Sequence, residues 1–463
     1  MKRKILAFAT LSLLGIIPAA RIGAQTAAGP AAPTYTKDVA PILYRNCTGC
    51  HRPGEIGPMS LLSYKDARPW AKAIGTRVAA GTMPPWHADP TVGEFSNDRR
   101  LTAAEKETIS QWVAAGAPEG DARDLPAAPR YAEGWTIGEP DAVLPMQEDY
   151  PIPADGTIAY QYFEVPTSFT EDKWIQAFEV RPGNRAVVHH VIVYSRPPAP
   201  AAPPPATPRS DGQPARRPPP VFTFADDMDI PAGQTGGPEL PAAERKPLGP
   251  NDRPAPKTLG PSVGAYVPGE GSRVYPAGTA ARLIAGSTLV FQMHYTTTGK
   301  PTTDRTRIGL IFAKERPKTE LRGTALINGN LHIPAGAPDY RVDATMTINR
   351  DITLWGMLPH THVRGKRWTY EAKYPDGRTE TLLSVPKYDF DWQTDYVFKT
   401  PFRLPKGTVL HATAWYDNSP GNKSNPDPSK DVWWGDQTWE EMMFTGLTFS
   451  VDPAPPQTTA GGL

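Results

Sequence analysis

The chain has only two cysteines, and they stand together in the run NCTGCH as Cys47 and Cys50, followed directly by His51. Exported proteins spend cysteines on long-range disulfides, and a pair this close cannot staple a chain of 463 residues. A C-x-x-C-H run is instead the attachment signature of a c-type haem. Cys47 and Cys50 would bond the two vinyl groups, and His51 would ligate the iron from one face. The other use of C-x-x-C, a redox disulfide, should open a helix within a βαβ unit, and no such pattern surrounds it.

Export follows from the N-terminus. Lys2, Arg3 and Lys4 precede an apolar run over 5–17, and small residues follow. This predicts a secretory signal peptide over 1–24, with cleavage near Ala24. No later run is long and apolar enough to cross a bilayer, so the mature protein is expected to be secreted or periplasmic without a membrane span. The formal net charge is +1 and there is no block of Lys and Arg, which argues against nucleic acid as a partner.

Around the cysteines the pattern is helical. Trp70, Ile74 and Val78 recur every four residues. Thr102 and Glu105 form a capping box for a helix whose Ile109, Trp112 and Val113 share one face, and Gly116 ends it. The second iron ligand should come from GTMPPWHADP, where Met83 offers a thioether that raises the haem potential. His87 is the competing ligand. Met59 lies too soon after His51 to reach the opposite face. Residues 34–122 resemble a small cytochrome c, which implies an all-α domain with one covalent haem held by Cys47, Cys50, His51 and Met83.

Beyond about residue 130 the pattern changes. IAYQYFEV, KWIQAFEV, RAVVHHVIVY, STLVFQMHY, DITLWGML and TVLHATAWY read as strands separated by turns, in a chain with 40 glycines and 55 prolines. The fold class expected is multidomain, with the α domain followed by all-β tandem jelly-roll sandwiches over 131–316 and 317–452. The Pro-rich stretch 197–261 interrupts the first sandwich and cannot bury much apolar surface. Residues 453–463 read as a loose tail.

The histidines carry the remaining chemistry. His360 and His362, in LPHTHVRGKRW, are two apart, so a strand presents both on one face. His189 and His190 are adjacent, and an ideal strand would point them to opposite faces. Their joint use needs a bulge or a twisted strand end. A lone strand histidine is usually packed or solvated, and either pair alone would be weak evidence for metal.

In order the chain runs HH, then QMHY, then HTH, then WEEMMF. This series resembles the type II copper, ascorbate-dependent monooxygenases, the family of peptidylglycine and dopamine monooxygenases, over about 131–452. The resemblance implies two copper ions. His189, His190 and His294 would hold the electron-transfer copper. His360, His362 and Met442 would hold the catalytic copper, with Met443 as the neighbouring alternative. Imidazole suits both copper oxidation states, and a thioether favours Cu(I). The implied activity is hydroxylation of a C–H bond of a small substrate with O2, using two electrons, one through each copper. No acid or base side chain is demanded. His332 and His411 are expected to be structural or to support the ligands.

The chain departs from that family in two ways. It has no cysteine left for the disulfides of the animal enzymes. The peptide-acting members anchor a substrate carboxylate from three positions that here hold Leu358, Phe444 and Gly446, so a different, less polar substrate is expected. The fused haem, a one-electron carrier, would feed the His189/His190/His294 copper in place of, or beside, an ascorbate-like or protein donor. Two other classes remain: a non-catalytic periplasmic electron-transfer or copper-binding protein, and a haem domain tethered to a carbohydrate-binding sandwich.

Overall fold

The computed structural model describes residues 32–131, 134–198, 228–229, 253, 260–267 and 270–453. The expected signal peptide, most of the Pro-rich stretch and nearly all of the tail lie outside these residues. No helix among the described residues is long and apolar enough to cross a membrane.

The molecule is mostly β-sheet, with a small helical unit at its N-terminal end. The helices that matter are α1 (Ala40–Asn46), α2 (Ala71–Ala79) and α3 (Ala103–Ala114). α3 carries the expected capping box: the Thr102 hydroxyl accepts from the Glu105 amide, and the Glu105 carboxylate accepts from the Thr102 amide. Leu43, Ile74, Val78, Ile109 and Trp112 share one core. Trp70, expected on that same apolar stripe, is 44% exposed. Pro69 places it in a separate 3-10 turn, Arg68–Trp70, and the helical phase of Ile74 and Val78 starts only afterwards.

The strands that build the site are, in chain order, β1 (Gln161–Pro166), β2 (Lys173–Arg181), β3 (Val188–Arg196), β4 (Ser262–Tyr266), β5 (Thr279–Leu283), β6 (Thr288–Tyr295), β7 (Arg307–Phe312), β8 (Thr319–Ile327), β9 (Ile352–His360), β10 (Tyr396–Leu404) and β11 (Phe444–Val451). A four-stranded antiparallel sheet has the order β1-β6-β3-β4. Val191, Val193, Phe291 and Met293 on one face of it pack against Ile175, Phe178, Ile308 and Leu310 of β2 and β7. That is one sandwich. In the other, Leu354, Met357, Leu447 and Phe449 of β9 and β11 pack against Trp368, Tyr370, Ala412 and Ala414 of a five-stranded sheet.

The two sandwiches share a sheet. β7, β2, β5, β8, β11, β9 and β10 follow one another in a single nine-stranded sheet. β8 makes the join: its start pairs parallel with β5 at Thr319–Leu321, and its remainder pairs antiparallel with β11 from Arg322 to Ile327. A second tie comes from the segment between α2 and α3. Trp86, Ala88 and Phe95 leave the helical unit and join the core of the second sandwich, where Trp86 meets Tyr396 at 5.1 Å and Phe95 meets Phe398 at 5.6 Å between ring centroids.

Candidate metal centre

β3 carries His189 and His190, and its pairing with β6 is irregular where it matters. His294 faces His190, but Tyr295 faces Val188, so His189 is an extra residue opposite nothing. This is the bulge that adjacent histidines require if both are to reach one point. As a result the Nδ1 atoms of His189 and His190 are 3.1 Å apart, and those of His190 and His294 are 3.4 Å apart. One ligand nitrogen from each ring lies within 4.8 Å of the other two.

β9 ends at His360, and strand alternation brings His362 to the same side, with ring centroids 5.2 Å apart. β9 pairs antiparallel with β11, Leu358 opposite Gly446 and His360 opposite Phe444. Continuing that register puts Met442 opposite His362. Met443 points the other way, into the sandwich core with Leu447 and Phe449, whereas Met442 is buried outside that core. The two methionines thus differ in surroundings, Met443 belonging to the core of the second sandwich and Met442 not.

Three of the five imidazoles are held by a neighbour outside the cluster with one nitrogen free. His360 Nδ1 donates to Gln393 Oε1 at 2.7 Å, and His362 Nδ1 donates to the Glu440 carbonyl at 3.1 Å. Both rings then present Nε2 as the lone pair. His294 is held the other way round, its Nε2 on the Thr438 hydroxyl at 3.2 Å, which turns Nδ1 toward its partners. His190 and His362 each bury an Nε2 with no hydrogen-bond partner. Burial pushes the His190, His294 and His362 rings well below the usual imidazole range, and His360 to about 4, so these rings are neutral. Neutral imidazoles converging on one point, with buried lone pairs left over, are costly without a cation and suit a transition metal.

The two sets adjoin. His190 and His360 are 6.1 Å apart between centroids. Tyr160 fits between them, 4.8 Å from His294, 5.5 Å from His190 and 6.0 Å from His362. Its hydroxyl is buried with no well-formed hydrogen bond. Phe390 lies flat on His189 at 5.1 Å and edge-on to His362 at 6.3 Å. Glu441, fully buried, accepts the backbone N–H groups of His362, Arg364 and Met442 at 2.8, 2.7 and 3.1 Å. Sequence reading missed Tyr160, Phe390 and Gln393. Tyr160 alternates with Tyr162 in IAYQYFEV, a visible but ambiguous stripe. Phe390 and Gln393 sit in a turn that carries no periodic signal.

The remaining histidines stand apart. His332 stacks on Trp433 at 3.9 Å and pairs with Asp431, and His411 pairs with Asp343. His87 follows Trp86 into the second sandwich, within electrostatic reach of Asp389 and Lys387. At the other motif, Cys47 caps α1, and His51 Nδ1 bonds the Met59 carbonyl at 3.3 Å, leaving Nε2 free. Gly57 has no room for a side chain there, since a Cβ would lie 2.7 Å from His51 Nδ1.

No family model matches the chain, and no curated protein matches it. Among solved structures, PNGF-II in its P21 crystal form is 8% identical over 68% of this chain and 66% of that one, with a TM-score of 0.25. Paenibacillus xanthan lyase is 9% identical over 71% and 28%, at 0.16. Allantoicase is 8% identical over 59% and 83%, at 0.14. At such TM-scores neither fold nor activity transfers from these proteins to this chain.

Proposed function

We propose that the chain is an exported, haem-fused copper monooxygenase that hydroxylates a C–H bond of a small molecule with O2. The observation that carries this reading is the convergence of two donor sets of different composition at one buried place. His189, His190 and His294 hold one copper. His360, His362 and Met442 hold the other, where the thioether favours Cu(I). Bound copper supplies one-electron redox chemistry and the activation of O2. The overall reaction takes R–H, O2, two electrons and two protons to R–OH and water.

The protein's own part is positioning. Gln393 and the Glu440 carbonyl fix the His360 and His362 tautomers. Glu441 ties the HTH segment to the backbone of Met442. Tyr160 and Phe390 fill the space around the rings and exclude water from it. No side chain is needed as acid or base.

The helical unit takes the part of electron donor, as a small cytochrome c with one haem on Cys47, Cys50 and His51 and with Met83 as the second iron ligand. Its docking supports this. Arg52 and Glu55, just past His51, pair with each other at 2.8 Å, and Glu55 also pairs with Arg185. Arg185 lies in the loop that leads into β3, four residues before His189. The motif loop thus sits at the foot of the strand that carries two metal ligands.

Metal content of the haem-loaded protein after copper reconstitution tests the reading. An Fe:Cu ratio near 1:2 is expected, with half the copper lost on changing His360 and His362, together with O2 consumption when a reductant and a substrate are supplied. Copper at that ratio without O2 consumption would favour the non-catalytic electron-transfer protein. No copper at all would remove both.

A further inference from the structure

A cavity of about 130 Å3 opens beside the His360 set, between the outer faces of the four-stranded and nine-stranded sheets. Three of the residues lining it are Leu358, Phe444 and Gly446. Strand geometry ties it to both donor sets. Residues two apart share a face, so His190, Ile192 and Tyr194 form one row on β3, and Leu358 and His360 form another on β9. Ile192, Tyr194 and Leu358 line the cavity. The rows that hold metal ligands at one end hold cavity wall at the other. Phe444 marks the near end, its ring edge-on to His360 at 6.2 Å. Tyr194 lies four residues along β3 from His190, about 13 Å at the usual strand rise.

We propose that this cavity is the substrate site and that its occupant is a neutral, single-ring molecule bearing one hydrogen-bonding oxygen. The inference rests on the copper reading for the word substrate, but not for binding. Size sets the ring: an apolar cavity of about 150 Å3 in another protein admits benzene. Charge sets the neutrality. Arg273 and Asp395 are the charged residues in the wall, and they pair with each other. An incoming carboxylate would meet Asp395 and find Arg273 already taken, at the cost of burying an unpaired charge. The oxygen is set by Tyr194. Its side chain is 7% exposed, it faces the cavity, and its hydroxyl has no hydrogen-bond partner among the described residues. The space itself depends on small residues in the wall. A Cβ at Gly323 would touch nothing closer than 3.7 Å, and at Gly446 nothing closer than 3.4 Å.

Calorimetric titration of the haem-loaded, copper-free full chain with benzyl alcohol, toluene and benzoate tests this. Benzyl alcohol is expected to bind one per chain, and benzoate at least about tenfold more weakly. Gly323→Leu, which fills the cavity without a backbone clash, should weaken both neutral probes at least about tenfold. Gly446→Val serves if the first variant does not fold. Tyr194→Phe should weaken benzyl alcohol about tenfold, the worth of one hydrogen bond, and leave toluene unchanged. Failure of either neutral probe to bind, benzoate binding as tightly as benzyl alcohol, or a folded plug variant with undiminished binding overturns the proposal. The copper reading is judged separately, by O2 consumption of the copper-loaded wild type. Binding without turnover leaves a ligand pocket and removes the monooxygenase, and turnover that survives the plug removes the pocket alone.

Discussion

His190 and His360 come from different sandwiches, yet their rings lie 6.1 Å apart, closer than the 6.4 Å that separates His190 from the packing ring of Phe390. Two metal ions held by these neighbouring sets would lie close enough for their unpaired spins to interact. Loaded with Cu(II) at both sets, the protein is therefore expected to show a copper paramagnetic resonance signal that integrates to fewer than two spins per chain. His294→Ala, which leaves one occupied set, should restore a full single-copper signal. Two undiminished, uncoupled signals in the wild type would mean that the sandwiches hold the sets apart in solution.

Gln393 would act on a bound copper only through His360. Its Oε1 accepts the hydrogen bond of the Nδ1–H and so leaves Nε2 as the lone pair for a metal. Gln393→Ala is expected to lower copper affinity at the His360 set about 10- to 100-fold, as loss of such outer partners does elsewhere, and to leave the other set unchanged. Competition with a chelator of known affinity reads both sets in one titration. His362 has no equivalent variant, because its partner is a backbone carbonyl.

Glu441 offers both carboxylate oxygens to three backbone N–H groups. Glu441→Gln replaces one of those acceptors with a donor and leaves at least one buried N–H unpaired, a cost of about 1–3 kcal/mol. The expected result is a lower denaturation midpoint and loss of the copper bound by His360, His362 and Met442, with the His189/His190/His294 copper kept. A variant that loses both coppers equally would show that Glu441 supports the whole interface and not that loop.

Much of this site is legible in local sequence because strand geometry is local. His360 and His362 share a side by the period of two, and the same period separates Met442 from Met443 once the β9–β11 register is known. The adjacent pair is the instructive case. The sequence states the condition, a bulge at His189, but cannot supply it, because a bulge is defined by the partner strand and that strand lies about a hundred residues away. Tyr160, Phe390 and Gln393 were hidden for the same reason: their roles come from contacts between distant segments and from no pattern in their own. The shared sheet was equally out of reach. β8 reads as one strand, and nothing in it announces that its start pairs with β5 and its end with β11. Nor does composition reveal that Trp86 and Phe95, inside an otherwise helical stretch, pack in the second sandwich.

Glu55 and Arg185 join the two ends of the proposed electron path, since one follows the haem motif and the other precedes the first metal ligand. Both side chains are partly exposed, so their ion pair is worth little to folding, about 1 kcal/mol or less. Its expected importance is in placement. Arg185→Glu puts two acids against each other at the docking point, and Glu55 keeps Arg52 but loses its partner across the interface. The variant should keep its haem and both coppers and unfold near the wild-type temperature. Stopped-flow mixing of the reduced-haem, Cu(II)-loaded protein should nevertheless show haem reoxidation slowed several-fold, and high salt should slow the wild type in the same direction by screening the pair. If the haem of the wild type is never reoxidised with Cu(II) bound, the helical unit is not the donor. If the variant and the wild type transfer at equal rates, electrons pass without the Glu55–Arg185 contact, and the route from His51 to His189 must cross the interface elsewhere.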